Sequence, residues 1–258
     1  MSPTRLFKSA ALPLAAMCLA PLACLAQGTA GNTSEVITIT PKPGMTAKFE
    51  QGAKAVNAYA HSHGDPVGNE AFEVRDGPDD GQVIFLQRFN WASEDHPPSY
   101  AAGLSREVGK DVAPYVSVRI GLNDLAVGLS KPAAANAPPM KYYEVIHYDI
   151  KPGRMGDFLA ALRQIGAAEH AKNPGSNPYY VYLERSGGNG NEVTVAVGHP
   201  SFADFARTGK SPFDALVETY GEQSVSIWRS AVRAIASEQN SIIEYRPDLS
   251  YIPSGQEH

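Results

Sequence analysis

Cysteine is almost absent from this sequence: among its 258 residues only Cys18 and Cys24 occur, and both fall in the first 26. The rest of the chain therefore has no thiol nucleophile, no disulfide, no cysteine for a metal site and none for covalent haem attachment. Long apolar runs are scarce as well. The stretch 10–26 carries no charge, but Pro13 and Pro21 interrupt it and it is short for a membrane span. With Arg5 and Lys8 ahead of it and the small residues Cys24 and Ala26 at its end, it reads as a secretory signal cleaved after Ala26. That reading predicts a periplasmic or secreted protein with no membrane insertion once the signal is gone. A lipid anchor on Cys24 is disfavoured, because Pro21 and Leu22 stand where such a signal carries an aliphatic and a small residue.

Excess positive charge is lacking too. The chain has 22 basic against 27 acidic residues, a net of −5, and loss of Arg5 and Lys8 makes the remainder more acidic still. Such a surface argues against nucleic acid or an anionic membrane as partner, since both reward a basic face. No serine-centred glycine motif occurs. The run Gly187-Gly188-Asn189-Gly190 sits between two strand patterns rather than before a helix, so it is a hairpin turn and not a phosphate cradle. Dinucleotides are thereby disfavoured, and no cofactor is expected.

What the sequence does contain is an internal repeat. Residues 35–61 laid over 144–170 match at nine positions: Glu35, Val36, Ile37, Lys42, Pro43, Gly44, Phe49, Ala58 and His61. Each copy opens with a strand pattern, turns at Lys-Pro-Gly and enters an amphipathic helix. In the first helix Phe49, Ala53, Val56 and Ala60 form the apolar stripe, and Glu50, Lys54, Asn57 and His61 form the wet row. In the second, Met155, Phe158, Leu159, Leu162 and Ile165 are the burying residues. A hairpin follows in each copy, 71–75 with 83–91 and 179–185 with 192–199. Helical regions at 100–116 and 213–237 and closing strands at 125–129 and 241–246 complete the order βαββαβ twice.

The expected organisation is a signal peptide (1–26), a flexible segment (27–34), a first ferredoxin-like module (35–130), a Pro/Ala linker (131–140), a second module (141–253) and a tail (254–258). Each module covers one sheet face with its two helices and leaves the other bare. The α+β fold expected is therefore two tandem modules packed sheet to sheet around a shared interior. Exposed sheet edges leave room for a homo-oligomer.

On this repeated pattern the chain resembles the dimeric α+β barrel superfamily, which holds the antibiotic-biosynthesis-monooxygenase-like and NIPSNAP-like domains. Its closing segment Tyr245-Arg246-Pro247-Asp248-Leu249-Ser250-Tyr251 is also similar to that of a set of exported bacterial proteins. The resemblance implies the barrel but no one chemistry, because such barrels include cofactor-free oxygenases, isomerases, haem-handling enzymes and proteins without catalytic activity.

Strand alternation over 142–150 turns Tyr143, Val145, His147 and Asp149 inward and Ile146, Tyr148 and Ile150 toward the helices. Thr38 stands at the place of His147 in the first copy, so the halves differ where a single site would lie. His147 is the candidate proton acceptor. Tyr143, Tyr180, Tyr182, Arg88, Trp91 and Glu244 are candidate ligand-binding residues of an aromatic-walled cavity suited to a small aromatic molecule. A ligand-binding exported protein is one reading; a cofactor-independent oxygenase or isomerase acting on a quinone-like substrate is another, and a haem-binding or structural envelope protein a third. His61 and His170 coincide in the repeat, but both lie near helix C-termini on the polar side, where a histidine is favourable on structural grounds alone. The cluster His61-Ser62-His63-Gly64-Asp65 has no established metal-site spacing, so no metal is expected.

Overall fold

The computed structural model describes residues 32–253 except 90, 135–136 and 207–208. The expected signal peptide, the start of the flexible segment and the 254–258 tail lie outside the described residues. In chain order the elements are β1 (Thr33–Pro41), α1 (Thr46–Ser62), β2 (Glu70–Asp76), β3 (Val83–Arg88), α2 (Trp91–Asp95), α3 (Ala101–Asp111) and β4 (Val116–Leu125). There follow β5 (Tyr142–Ile150), α4 (Met155–Lys172), β6 (Tyr179–Ser186), β7 (Glu192–His199), α5 (Pro212–Tyr220), α6 (Gln223–Ala234) and β8 (Ile235–Tyr245). The two Lys-Pro-Gly turns have the same geometry, with Gly44 at φ 73° and Gly153 at φ 78°, a backbone state that a Cβ resists.

All eight strands form one closed antiparallel barrel in the order β1-β3-β2-β8-β5-β7-β6-β4. The barrel that the resemblance implies is present, with the two expected sheets joined into one. The sheets are fused at both edges, β2 onto β8 (Phe72 opposite Tyr245, Val74 opposite Ile243) and β4 onto β6 (Leu125 opposite Tyr182). Fusion supplies hydrogen-bond partners to edge N–H and C=O groups that would otherwise invite another chain. The free sheet edges expected to support an oligomer are thus paired among the described residues.

The closing strands also begin earlier than expected, at Val116 and Ile235, and the helical regions are correspondingly shorter. The second region is split at Gly221, whose φ is 55°. The reason is legible in the burial: Ser117–Ile120 and Ala236–Asn240 are exposed, so neither strand start shows the apolar alternation that marks a half-buried strand.

Three layers of packing result. Inside the barrel, Phe72, Val74, Leu125, Tyr143, Val145, Tyr180, Tyr182 and Ile243 form one cluster. Outside, α1 and α3 cover Ile37, Ile39, Ala71 and Val83, and α4 with α6 covers Ile150, Val181, Val193 and Val195. The stripes expected on α1 and α4 face these strands, with Phe49, Ala53 and Ala60 buried on one helix and Phe158 on the other.

The polar row of α1 has a use that its composition hides. Arg246 Nη2 donates to Glu50 (2.8 Å), Lys54 pairs with Asp248 (2.9 Å), and Asn57 Nδ2 donates to the Leu249 carbonyl (2.7 Å). His61 stands edge-on to Tyr251 at 6.2 Å. The segment after β8 therefore lies along Glu50, Lys54, Asn57 and His61, one contact per turn. Leu249, wholly buried beneath it, and the Tyr251 hydroxyl bonded to the Asp65 carbonyl (2.7 Å) pin it down. A row of side chains read as solvated is a docking strip because its partners come from nearly 200 residues away.

One buried acid bears on stability. Glu35 accepts from Gln87 Nε2 across β1 and β3, and burial, with the Glu94 charge adding to it, pushes its carboxyl up to about 7. A carboxyl whose folded value lies above its unfolded one takes up a proton on folding, so stability falls as pH rises from about 4.5 through about 7. Glu35→Gln removes that cost and offers an amide donor to Gln87 Oε1, which has no partner among the described residues. Urea unfolding should show the variant more stable by up to about 3 kcal/mol above pH 8, with the advantage vanishing near pH 4.

Candidate functional site

Opposed residues on adjacent antiparallel strands project to the same face. Leu125 lies opposite Tyr182, Tyr182 opposite Thr194, Thr194 opposite His147, and His147 opposite Gln239. These five residues make one inward-facing row across β4, β6, β7, β5 and β8. His147 therefore points into the barrel as its alternation predicts, at a level where its side chain is still 35% exposed. The Tyr143 and Val145 side chains lie deeper on the same strand, while Tyr148 and Ile150 face the helices.

His147 Nδ1 lies 3.0 Å from Thr194 Oγ1 and 3.2 Å from Glu192 Oε1, and Thr194 Oγ1 lies 3.3 Å from the same carboxylate oxygen. The hydrogen bond from His147 holds the Glu192 carboxyl below its ordinary value, against the opposing effect of burial, with a smaller contribution from the Arg119 charge. An ionised Glu192 can only accept, so Nδ1 is the donor in this bond, and in the neutral imidazole that leaves Nε2 as the acceptor. This is an imidazole held in one tautomer by a carboxylate, the arrangement of an oriented general base.

Behind this layer the aromatic residues expected to wall a cavity pack against one another. Phe72 meets the Tyr143 ring edge-on at 5.6 Å and the Tyr245 ring at 5.6 Å, and Tyr180 and Tyr182 complete the cluster. Burial drives the Tyr143 and Tyr182 hydroxyls well above their usual range, and the Glu70 charge nearby reinforces it. The Tyr182 Oη is buried without a hydrogen-bond partner in the described structure, as is Arg88 Nε. Arg88 lies opposite Ser34 at the end of β3, two residues beyond Leu86, which packs on the interior cluster.

Two expected ligand-binding residues lie elsewhere. Glu244 faces outward, between Arg75 (3.3 Å) and Lys141 (3.2 Å), because its neighbours Ile243 and Tyr245 take the inward positions of β8. Trp91 is 51% exposed on α2, edge-on to Phe89 with the Arg185 guanidinium 5.6 Å from its ring, so it contributes nothing to the interior. Sequence reasoning missed Glu192 and Thr194. Their spacing of two on one strand was a signal, but only the pairing of β5 with β7 brings them to His147.

Val145, Tyr143 and Tyr182 pack together in the barrel interior on the side of His147. His61 and His170 are exposed near the C-terminal ends of α1 and α4. His63 stacks on Tyr59 at 4.0 Å, and Asp65 Oδ1 accepts from the Val67 N–H, so that loop is held by ordinary packing and capping. Among the described residues, no group of three or more metal-binding side chains comes together.

No protein-family model matches this chain, and no curated protein does. Solved structures do. A monooxygenase candidate from Fusobacterium nucleatum matches with a TM-score of 0.54 and 11% identity over 84% of this chain and 94% of its own. An anthrone oxidase-like protein gives 0.54 and 13% over 88% and 95%. A variant of chlorite dismutase from Candidatus Nitrospira defluvii gives 0.52 and 8% over 87% and 95%. At these identities the likeness is one of fold: the chain has the architecture of the dimeric α+β barrel proteins.

Proposed function

We propose that the protein binds a small phenolic or quinone-like aromatic at the mouth of the barrel, and that His147 takes a proton from it in a cofactor-independent oxygenation. The observation that carries this reading is the His147–Glu192–Thr194 arrangement on the inward face, directly above the tyrosine cluster. Its neighbours in fold include a monooxygenase candidate and an anthrone oxidase-like protein, which agrees with that chemistry. The Nε2 lone pair accepts a proton from an acidic C–H or O–H, and Glu192 stabilises the imidazolium that results. The substrate anion then gives its electrons to dioxygen. For an anthrone the balance is one dioxygen consumed, the ring methylene converted to a carbonyl and one water released.

Two further readings support a role outside the cytoplasm on a duplicated scaffold. The order β4-β1-β3-β2 recurs as β8-β5-β7-β6, which together with the repeat favours two tandem ferredoxin-like modules. The charge-free stretch behind Arg5 and Lys8 favours export to the periplasm or beyond.

The test is oxygen uptake with anthrone as probe. His147→Ala should lower the rate by about 10²–10⁴-fold. Glu192→Gln should retain binding, judged by quenching of protein fluorescence, and should change the pH profile of the rate. Wild-type protein that neither binds anthrone nor consumes oxygen with it, or a His147→Ala variant of undiminished rate, would remove the proposal.

A further inference from the structure

A cleft of about 790 Å³ lies outside the barrel, between α4 and the connection from β4 to β5. That volume is within the roughly 300–1,000 Å³ of small-molecule sites. Its floor is one face of α4, where Leu162, Gly166 and Ala167 are lining residues, and its wall is the linker with Pro132, Ala134 and Met140. The lining is mostly apolar and small, which leaves a smooth trough rather than a set of polar niches.

Arg163 and His170 stand at the two ends of the α4 floor. Seven residues apart on a helix, they lie on nearly the same face and about 10 Å from each other along its axis. Both are exposed, and among the described residues neither has an ion-pair partner. Lys131 also lines the cleft, but its ammonium already donates to the Pro174 carbonyl (3.1 Å), the Ser176 carbonyl (2.7 Å) and Ser176 Oγ (2.9 Å). With three donors and three acceptors it is a brace that ties the linker to the loop after α4. Asp204 is the acidic group on the rim, on the side of Asn177, to which it is bonded at 3.0 Å.

We infer that this cleft is a second binding site, for an organic acid with an apolar body, its tail along the Leu162–Ala167 floor and its carboxylate or sulfonate on Arg163 or His170. The juxtaposition is what carries the inference: an apolar trough of ligand size with the Arg163 guanidinium and the His170 imidazole at its ends, neither ion-paired among the described residues, in a chain whose net charge is negative. The site is independent of the barrel mouth, because α4 covers the outer face of the strands whose inner face holds His147.

The experiment titrates 8-anilinonaphthalene-1-sulfonate into the folded full chain and follows its fluorescence. Saturable one-to-one binding is expected, displaced by decanoate and at least tenfold less well by decanol, which has the same body without the charge. Ala167→Phe fills the trough from an exposed helix position, and Arg163→Glu reverses one end; each should weaken the dye at least tenfold. His147→Ala should bind it as the wild type does. Dye bound equally by both cleft variants, dye lost in His147→Ala instead, decanol matching decanoate, or no saturable binding in the folded wild type would each overturn the inference, and none of these readouts uses oxygenase activity.

Discussion

Arg246→Ala should destabilise the protein by about 2–3 kcal/mol, more than an exposed pair is worth because one guanidinium joins three carboxylates in a half-buried network. The guanidinium serves three carboxylates: Glu50 at 2.8 Å, Glu73 at 2.6 Å and Asp248 at 2.9 Å. Taking it away leaves Glu50 and Glu73 facing each other from α1 and β2 with about a quarter of each side chain in water. It also frees the segment that carries the buried Leu249. The effect has a pH signature. Hydrogen bonding to Arg246, and then to Lys54, holds the Asp248 carboxyl far below the usual carboxylate range. A carboxyl depressed on folding contributes stability that is present above its unfolded value, about 3.8, and is lost as pH falls below it. The gap between wild type and variant should therefore narrow as the pH of urea unfolding is taken from 7 to about 3. Arg246→Lys keeps the charge but not the fork, so it should fall between them. A gap that stays constant across that range would show the network to be energetically idle.

Gly52→Ala should cost about as much for a different reason. Gly52 lies where α1 crosses the end of α3, and a Cβ there would stand 1.8 Å from the Asp111 carbonyl oxygen and 2.6 Å from its carbon. Both contacts are backbone, so relief requires moving α3 as a whole and loosening Val112, Leu249 and their neighbours. Overpacking of this kind costs about 3 kcal/mol at its upper range, which for a domain of this size lowers Tm by roughly 6–12 °C. Gly109 on α3 is the control. Nothing lies within 4 Å of a Cβ there, so Gly109→Ala should stabilise by about 0.5–1 kcal/mol through helix propensity alone. Calorimetry of the two variants side by side separates helix crossing from propensity, and equal shifts of the same sign would refute the close approach.

Periodicity decided much of the local structure. The alternation in β5 sends Tyr143 and Val145 inward and Tyr148 and Ile150 to α4, and the hairpins β2–β3 and β6–β7 flank the glycine-rich turns that announce them. These features depend on neighbours close in the chain, which a sequence displays directly. Exposed strand starts, as in β4 and β8, display no such pattern.

The candidate site divides in the same way. His147, Tyr143, Tyr180 and Tyr182 meet because each sits on the predicted face of its own strand, a property of alternation. Glu192 and Thr194 join His147, and Arg246 finds Glu50, only through the meeting of segments 45 to 196 residues apart. The chain alone determined which residues are apolar, which turn and which repeat, since those follow from side-chain chemistry and backbone sterics acting over a few residues. Tertiary structure decided which polar group each polar group answers, because a hydrogen bond or ion pair a few ångströms long is set by where the closed barrel brings distant strands together.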